Sequence, residues 1–522
     1  MATASKKRPS KSAKLRYIGK PAGLIGERVE QAGPTHFGIV SVDCAKRRSK
    51  WMLCNFYGKV LIEPTTVEHN AGAFKAMICQ IKEAFQEFGI TDSICAVEMT
   101  GIYHRAVQTA LRKADLDTRI VHPFASKHYR KPLHPDLKTD DNDLEAIFHA
   151  AINGYGLAIL PVDETYQSLQ ALARHRRNLV KQRARLKVQI RVKMHQTMPG
   201  FADLFADDKL FNKSIAMPIA GEYSSAAAIS RAGVAGMAKR LKKRKTRFQT
   251  RTLERIAVWA LMAAEPTSLA EMLTKQWKQL AQVHQVLTDQ IESSEREMAQ
   301  FLAKTPYVLL LSVTGINIVS AAGLAGEAGP IEHYATARAI NGRAGLFPSR
   351  YQSDGVDYQG SVARTCNRKL RAAAMLIAEN LIKCHPYYRG LSALWVTRKV
   401  DPRDRRCRIA NRAMRMVYQL VAGRQVWRGK SVDREYLLHK LQEFHRLHGT
   451  PLEQVIGDMT EAFRWLPQST YAGEAQQLEA LARKKRRGVQ RIGDLLLPLL
   501  IRLGVHDPEG VESTTSEARG SD

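Results

Sequence analysis

His36-Phe-Gly-Ile-Val-Ser-Val-Asp43 reads as an apolar strand that delivers a carboxylate at its end. Trp51 to Phe56 and Lys59 to Ile62 follow as two more strands with a turn at Tyr57-Gly58, and the pattern then changes to alternation. Ala71 to Phe88 has helical spacing through Phe74, Met77, Ile78, Ile81, Ala84 and Phe85. Ser93 to Glu98 is a strand, Tyr103 to Ala114 a helix and Thr118 to Val121 a strand. A meander followed by strand-helix alternation is the order of an α/β RNase H-like fold, expected here over residues 35–158.

Asp43 and Glu98 close two of these strands, and Asp140 and Asp143 lie within Lys138-Thr-Asp-Asp-Asn-Asp143. If Thr139 or Asp140 opens a helix, Asp140 and Asp143 share one face, while Asp141 and Glu145 point elsewhere. Carboxylates crowded together repel unless a hard cation neutralises them and takes oxygen ligands. Asp43, Glu98, Asp140 and Asp143 are therefore the expected ligands of Mg2+, with Mn2+ as an alternate. Two such ions can clamp the attacking and leaving oxygens of a phosphodiester.

Charge points the same way. The 522 residues carry 80 Lys and Arg against 50 Asp and Glu, a net +30 that marks a polyanion partner, nucleic acid first. No apolar run approaches the roughly 18 residues that span a bilayer; the longest, Leu495 to Ile501, is interrupted by Pro498, and no signal-peptide pattern is present. No membrane is expected among the partners. Seven scattered cysteines without a C-x-x-C pair read as reduced thiols of a cytoplasmic protein. Residues 1–34, with Lys6, Lys7, Arg8, Lys11, Lys14, Arg16 and Lys20 and no acid among the first 20, are expected to be a disordered basic arm, either touching phosphate or solubilising the chain.

Residues 159–304 read as a basic, coiled-coil helical region with an insertion. Leu172, Leu179 and Leu186 follow a heptad, with Leu169 and Ile190 interleaved. Arg174, Arg176, Arg177, Lys181, Arg183 and Arg185 cover the rest of that helix without one acid. A solvated face is the usual reading of a charge run, but this one lacks acidic partners in its own sequence, which favours nucleic-acid contact. A second helix, from Ser268 with Glu271 as a capping-box pair, repeats the period through Leu273, Leu280, Leu287, Ile291, Met298 and Phe301. The two helices pair either as an antiparallel arm or as an oligomer seam. Around Gly315-Ile-Asn, two short helices would offer backbone N–H groups to phosphate, or the small residues Ala321, Ala322, Gly323, Ala325 and Gly326 mark close helix packing. Leu346 to Gly355 reads as a polar, turn-rich loop, where a serine is ordinarily a cap or turn residue. Residues 401–507 form a helical extension with basic stretches at Arg403 to Arg408 and Arg483 to Arg487, and 508–522 a disordered tail.

Asp43, Glu98-Met-Thr-Gly101-Ile-Tyr-His104, Lys138-Thr-Asp140-x-x-Asp143, Thr314-Gly-Ile316 and the Gly345-Leu-x-Pro348 to Ser353 segment with Asn367-x-x-Leu-Arg371, taken in order, resemble the insertion sequence 110 family of transposases over roughly residues 35–200 and 305–385. The resemblance implies a DNA recombinase with a RuvC-like DEDD domain, a coiled-coil middle and a mainly α C-terminal transposase domain over 305–400 bearing a serine nucleophile, here Ser353. It also implies a bridge RNA as guide in some members and a homo-oligomer, dimer or tetramer, at the nucleoid of a bacterial cytoplasm. In this composite Arg350, Arg364 and Arg371 are candidates to cradle the phosphate. The chain departs from the family in carrying Asp354 before Gly355, where a glycine commonly follows the serine directly, and in Cys366-Asn367. Two alternatives stand beside it: a RuvC-like metal-dependent endonuclease without serine chemistry, and a non-catalytic nucleic-acid-binding protein, which would have no need to concentrate negative charge beside phosphate.

Overall fold

The computed structural model describes residues 25–133, 137–154, 163–205, 209–212, 215–353, 356–363, 366–427, 436–470 and 473–474. Outside them lie most of the expected arm, Arg364, the Asp354-Gly355 pair, the basic stretch from Arg483 and the expected tail. The chain divides into two units, Met1–Pro161 and Val162–Asp522. Among the described residues no helix is long and apolar enough to cross a membrane.

The first unit runs α1 (Gly26–Ala32), β1 (Phe37–Cys44), β2 (Arg48–Asn55), β3 (Val60–Glu68), α2 (Ala71–Glu87), β4 (Asp92–Glu98), α3 (His104–Lys113), β5 (Thr118–Val121), α4 (Pro123–Leu133) and α5 (Asp140–Ile152). Its strands form one sheet in the order β3-β2-β1-β4-β5. The meander is antiparallel, and β4 and β5 join it in parallel. Both faces are covered, so the central strands read as nearly continuous apolar runs. Phe37 and Ile39 of β1 and Ile94 and Ala96 of β4 pack with Leu144, Ile147 and Phe148 of α5. Val40, Val42, Cys95 and Val97 pack on the other side with Met77 and Ile81 of α2 and Val107 and Leu111 of α3. This is the RNase H-like arrangement expected of residues 35–158.

The arm, however, ends before residue 34. Ile25 and Val29 are buried with the α5 face of the sheet, and Arg28 bonds Asp92 at 2.8 Å and Asp117 at 2.6 Å. Its charge is matched by acids of β4 and of the loop before β5, which a count over the first 20 residues does not see.

The second unit contains α6 (Glu164–Thr197), α7 (Lys209–Asn212), α8 (Ala216–Tyr223), α9 (Ala226–Lys243), α10 (Thr250–Met262), α11 (Ala270–Ala303), α12 (Ile318–Ala328), α13 (Ala337–Ala344), the hairpin β6 (Pro348–Ser353) and β7 (Val356–Val362), then α14 (Arg368–Cys384), α15 (Pro386–Thr397), α16 (Pro402–Ala422), α17 (Leu437–Leu447) and α18 (Leu452–Phe463). The 34-residue helices α6 and α11 pair antiparallel within the chain. Arg176 reaches Glu295, Arg183 reaches Thr288 and Lys193 reaches Gln276, partners that descend one helix as the other ascends. Leu179, Leu287 and Ile291 form the seam between them. The capping box expected at Ser268 is not formed: α11 begins at Ala270, and Glu271 pairs with Lys275 at 2.9 Å. Helices α8–α10 build a separate small core with the far ends of α6 and α11, around Ile190, Met194, Ile256 and Trp277.

Of the two readings of the Gly315 region, close packing is the one observed. Pro306–Ser312 is a wholly buried 3-10 segment. Asn317 and Ser320 cap the start of α12 reciprocally, so those N–H groups are already engaged. A Cβ on Gly326 would stand 2.5 Å from the backbone nitrogen of Gln170, so α12 and α6 touch main chain to main chain.

Nor is there a break near residue 400. Ile409, Ala410, Ala413, Met414 and Val417 of α16 share one core with Leu370, Ala374 and Ile377 of α14. The first turn of α17 is closed from far along the chain: both oxygens of buried Glu474 accept, from Leu437 N at 2.8 Å and Leu438 N at 3.1 Å.

Gly326→Ala is expected to destabilise this unit by about 1–3 kcal/mol, because neither backbone can yield. Gly323→Ala, three residues away with nothing within 4 Å of the added Cβ, should leave the melting temperature unchanged or slightly raised. Thermal denaturation of the pair checks this; equal melts would refute the close approach.

Candidate active site

In the parallel ladder Val42 stands beside Val97, so Asp43 and Glu98, one residue on, end neighbouring strands at the same level. Both continue the parity of Phe37, Ile39, Ile94 and Ala96, which puts them on the sheet face covered by α5. Thr139 caps α5, accepting from Asn142 N at 3.2 Å, so Asp140 and Asp143 lie in its first turn, where the helix dipole favours negative charge. Asp141 turns away to Lys50 at 2.5 Å and Glu145 to His149 at 3.7 Å, as the spacing requires.

All four expected carboxylates are therefore gathered. Burial, then the charges of Glu98, Asp143 and Asp140, push the Asp43 carboxyl up to about 7. The turn after Glu98 is shaped by Gly101 at φ +54°. Thr100 Oγ1 donates back to Glu98 at 3.1 Å.

Sequence reasoning missed two further contributors. Ser126 donates to Glu98 and Arg130 pairs with Asp143, both from α4. Their only signal is the i, i+4 spacing that puts a hydroxyl and a guanidinium on one helix face. With the side chains turned to these partners, no three His, Cys, Asp or Glu groups among the described residues converge on a point that would hold one ion. The donor set nevertheless fits a hard divalent cation: it is all carboxylate oxygen, and the raised Asp43 records the repulsion that a cation at this place would relieve.

In the second unit, the expected polar loop is a β-hairpin. Ser353 is the last residue of β6, exposed, and paired with Val356. Ser349 lies near the base, its Oγ 2.5 Å from where a Cβ on Gly360 would stand. Arg350 lies on β6, opposite Gln359.

The motif residues around the hairpin hold its base. Asn367 caps α14, accepting from Lys369 N and Leu370 N at 3.0 Å each. Arg371 donates to the carbonyls of Ala344 at 2.9 Å, Gly345 at 3.3 Å and Ala363, and to Cys366 Sγ at 2.8 Å. Arg371, expected in a phosphate cradle, uses its Nε and one Nη to tie the chain before β6 to the chain after β7.

The basic helix divides in the same way. Arg174 forms a two-pronged pair with buried Glu327 at 2.9 and 2.8 Å, and Arg176 meets Glu295 at 2.5 Å, which also bonds His448 at 2.9 Å. Arg183 approaches Thr288, Arg177 is half-buried, and Lys181 and Arg185 are exposed one turn apart.

Comparison with known proteins assigns both ends of this description. A DEDD family model of the IS110 type, described as a transposase, matches residues 40–199. A model described as the Transposase IS116/IS110/IS902 family matches residues 307–392. The transposase for insertion sequence element IS1328 of Yersinia enterocolitica is 25% identical over 297 residues, 56% of this chain and 74% of that protein.

Two measurements follow from the geometry. Because the Asp43 carboxyl is raised, its contribution to metal-free stability is fully present below about pH 4, the unfolded value, and is lost as pH rises through about 7. In EDTA, Asp43→Asn should thus melt above wild type at pH 8, roughly 4 °C for each kcal/mol of repulsion relieved, with the gap narrowing as pH falls through about 7 and closed below about pH 4. Mg2+ should stabilise wild type at pH 8 and not the variant; a melt indifferent to both would remove Asp43 from the acidic cluster. For the basic helix, Lys181→Gln with Arg185→Gln should lower the slope of log K against log salt on duplex DNA by about 1.8, at 0.9 per phosphate. Arg174→Gln should instead lower the melting temperature by exposing the need of buried Glu327 for its partner.

Proposed function

The chain belongs to the insertion sequence 110 family of transposases, whose substrate is DNA, and from that premise we propose that it cuts and rejoins DNA strands with a carboxylate metal site and a serine nucleophile. The observation that carries this is the gathering of Asp43, Glu98, Asp140 and Asp143 on one sheet face, at a cost visible in the raised Asp43. A pure binding module would gain nothing from acids held where phosphate must approach.

In this reading the four carboxylates hold Mg2+, with Mn2+ as an alternate, which when bound draws charge from a phosphate oxygen. Arg130, already directed into the cluster, supplies a fixed positive charge beside it. Ser353 Oγ attacks the scissile phosphorus and gives its proton to solvent, while the bond to one DNA end breaks and that oxygen leaves as a hydroxyl. Attack by the hydroxyl of another DNA end on the same phosphorus returns Ser353 to its free form. One phosphoester is exchanged for another at each step, so no external energy is needed. Lys181 and Arg185 contact nucleic acid; a guide RNA and a homo-oligomer, dimer or tetramer, complete the proposed assembly at the bacterial nucleoid.

Ser349 and Ser353 are both exposed on β6; the nucleophile is assigned to Ser353, at the end of the strand, and Ser349, near the hairpin base beside Gly360, is the alternative that mapping must exclude. Denaturing the reaction partway should trap protein joined covalently to DNA, with the phosphate mapped to Ser353 by mass spectrometry. Ser353→Ala should abolish both adduct and recombination and spare DNA binding, and Asp43→Ala should abolish cleavage. Free ends without any adduct from active wild-type protein would favour the metal-dependent endonuclease.

A further inference from the structure

A cleft of about 610 Å3 opens beside the hairpin base, lined among others by Pro348, Gly360, Trp395, Arg408, Arg412 and Arg415. The three arginines are spaced i, i+4, i+7 along α16, so they form one exposed row while the opposite side of the helix is core. Trp395, 7% exposed, lies beneath two of them, with the Arg408 and Arg412 guanidinium carbons 5.9 and 5.6 Å from its ring centroid. Arg412 also donates to Tyr387 Oη at 3.1 Å, and Arg408 is paired with Asp404 at 2.7 Å. The row therefore sets three arginines against one carboxylate, in a helix that lies beyond both segments matched by the transposase models.

We propose that this row is a phosphate-binding site for the DNA strand that runs to the hairpin, a proposal that rests on the transposase reading above. A guanidinium laid over an indole keeps its edge donors outward and loses little further freedom when a phosphate arrives, which suits it to anion recognition better than a free lysine. From Arg408 to Arg415 the row spans roughly 10 Å of helix, matching about three phosphates at 3.4 Å of axis per nucleotide. From Pro348 to Ser353 the strand covers about 17 Å, or about five base steps. The row thus grips the backbone within about five steps of the phosphate that Ser353 attacks. It reads no bases; it sets the register in which the strand enters.

The test uses the full-length protein, a fluorescent duplex oligonucleotide and a structured RNA of equal length, with binding followed across a salt series. Arg408→Gln, Arg412→Gln and Arg415→Gln together should lower the salt slope on duplex DNA by about 2–3, at 0.9 per phosphate contact. The corresponding triple lysine variant, which keeps charge and loses the flat stack, should restore the slope with affinity still below wild type. An unchanged slope in the glutamine variant, full affinity in the lysine variant, or a loss confined to RNA would each overturn the site. If wild type itself shows no salt-dependent DNA binding, the transposase reading falls with it, an outcome distinct from wild-type binding that ignores the substitutions.

Discussion

The parallel register of β1 on β4 is the constraint from which the first unit's chemistry follows. A slip of one residue would send Asp43 through to the face lined by α2 and α3, since successive side chains on a strand point to opposite sides. What forbids the slip is apolar: Phe37 and Ile39 belong to one core and Val40 and Val42 to the other. Hydrophobic packing thereby holds carboxylates closer than their charges favour, and the raised Asp43 is the record of that conflict. Ser126, Thr100 and Arg130 temper it without removing it.

The second unit places its signature residues differently. Gly345 ends α13 in a left-handed conformation, Asn367 starts α14, Leu370 is fully buried and Arg371 bridges the two flanks of the hairpin. The part of the motif that makes a sequence recognisable is thus largely the frame that presents Ser353, while Ser353 itself stands at the exposed end of a short strand. An apolar 3-10 segment and α12, welded to α6 at Gly326, support that frame from below.

The five strands and the helices α2 and α3 of the first unit were legible because each buries a face, and period-2 and period-3.6 patterns are consequences of burial; α4, with Pro132 and few apolar residues, was not. The β6–β7 hairpin was not, because Ser349-Arg-Tyr-Gln-Ser353 has no apolar side to alternate. The acidic quartet could be read from element ends, yet Ser126 and Arg130 carry no local mark. On the basic face of α6 the partners of Arg174 and Arg176 were hidden for a related reason. Glu295 and Glu327 lie 119 and 153 residues from the arginines they neutralise, so a charge run judged within its own helix counts partners that are near in sequence and misses those near in space. The same limit hid α1, whose Arg28 is matched by Asp92 and Asp117, and put a boundary near 400 where α16 in fact completes the core shared with α14.

Glu474 gives the chain a direction in time. Its two oxygens cap amides that precede it by 37 and 36 residues, so during synthesis the opening turn of α17 stays unfinished until the ribosome has passed residue 474. A nascent chain still short of that point holds two amides without their buried acceptor, each worth roughly 1–3 kcal/mol if shut away from water. The residues beyond the matched family segments therefore take part in finishing the fold, and the opening turn of α17 is complete only once Glu474 has joined it.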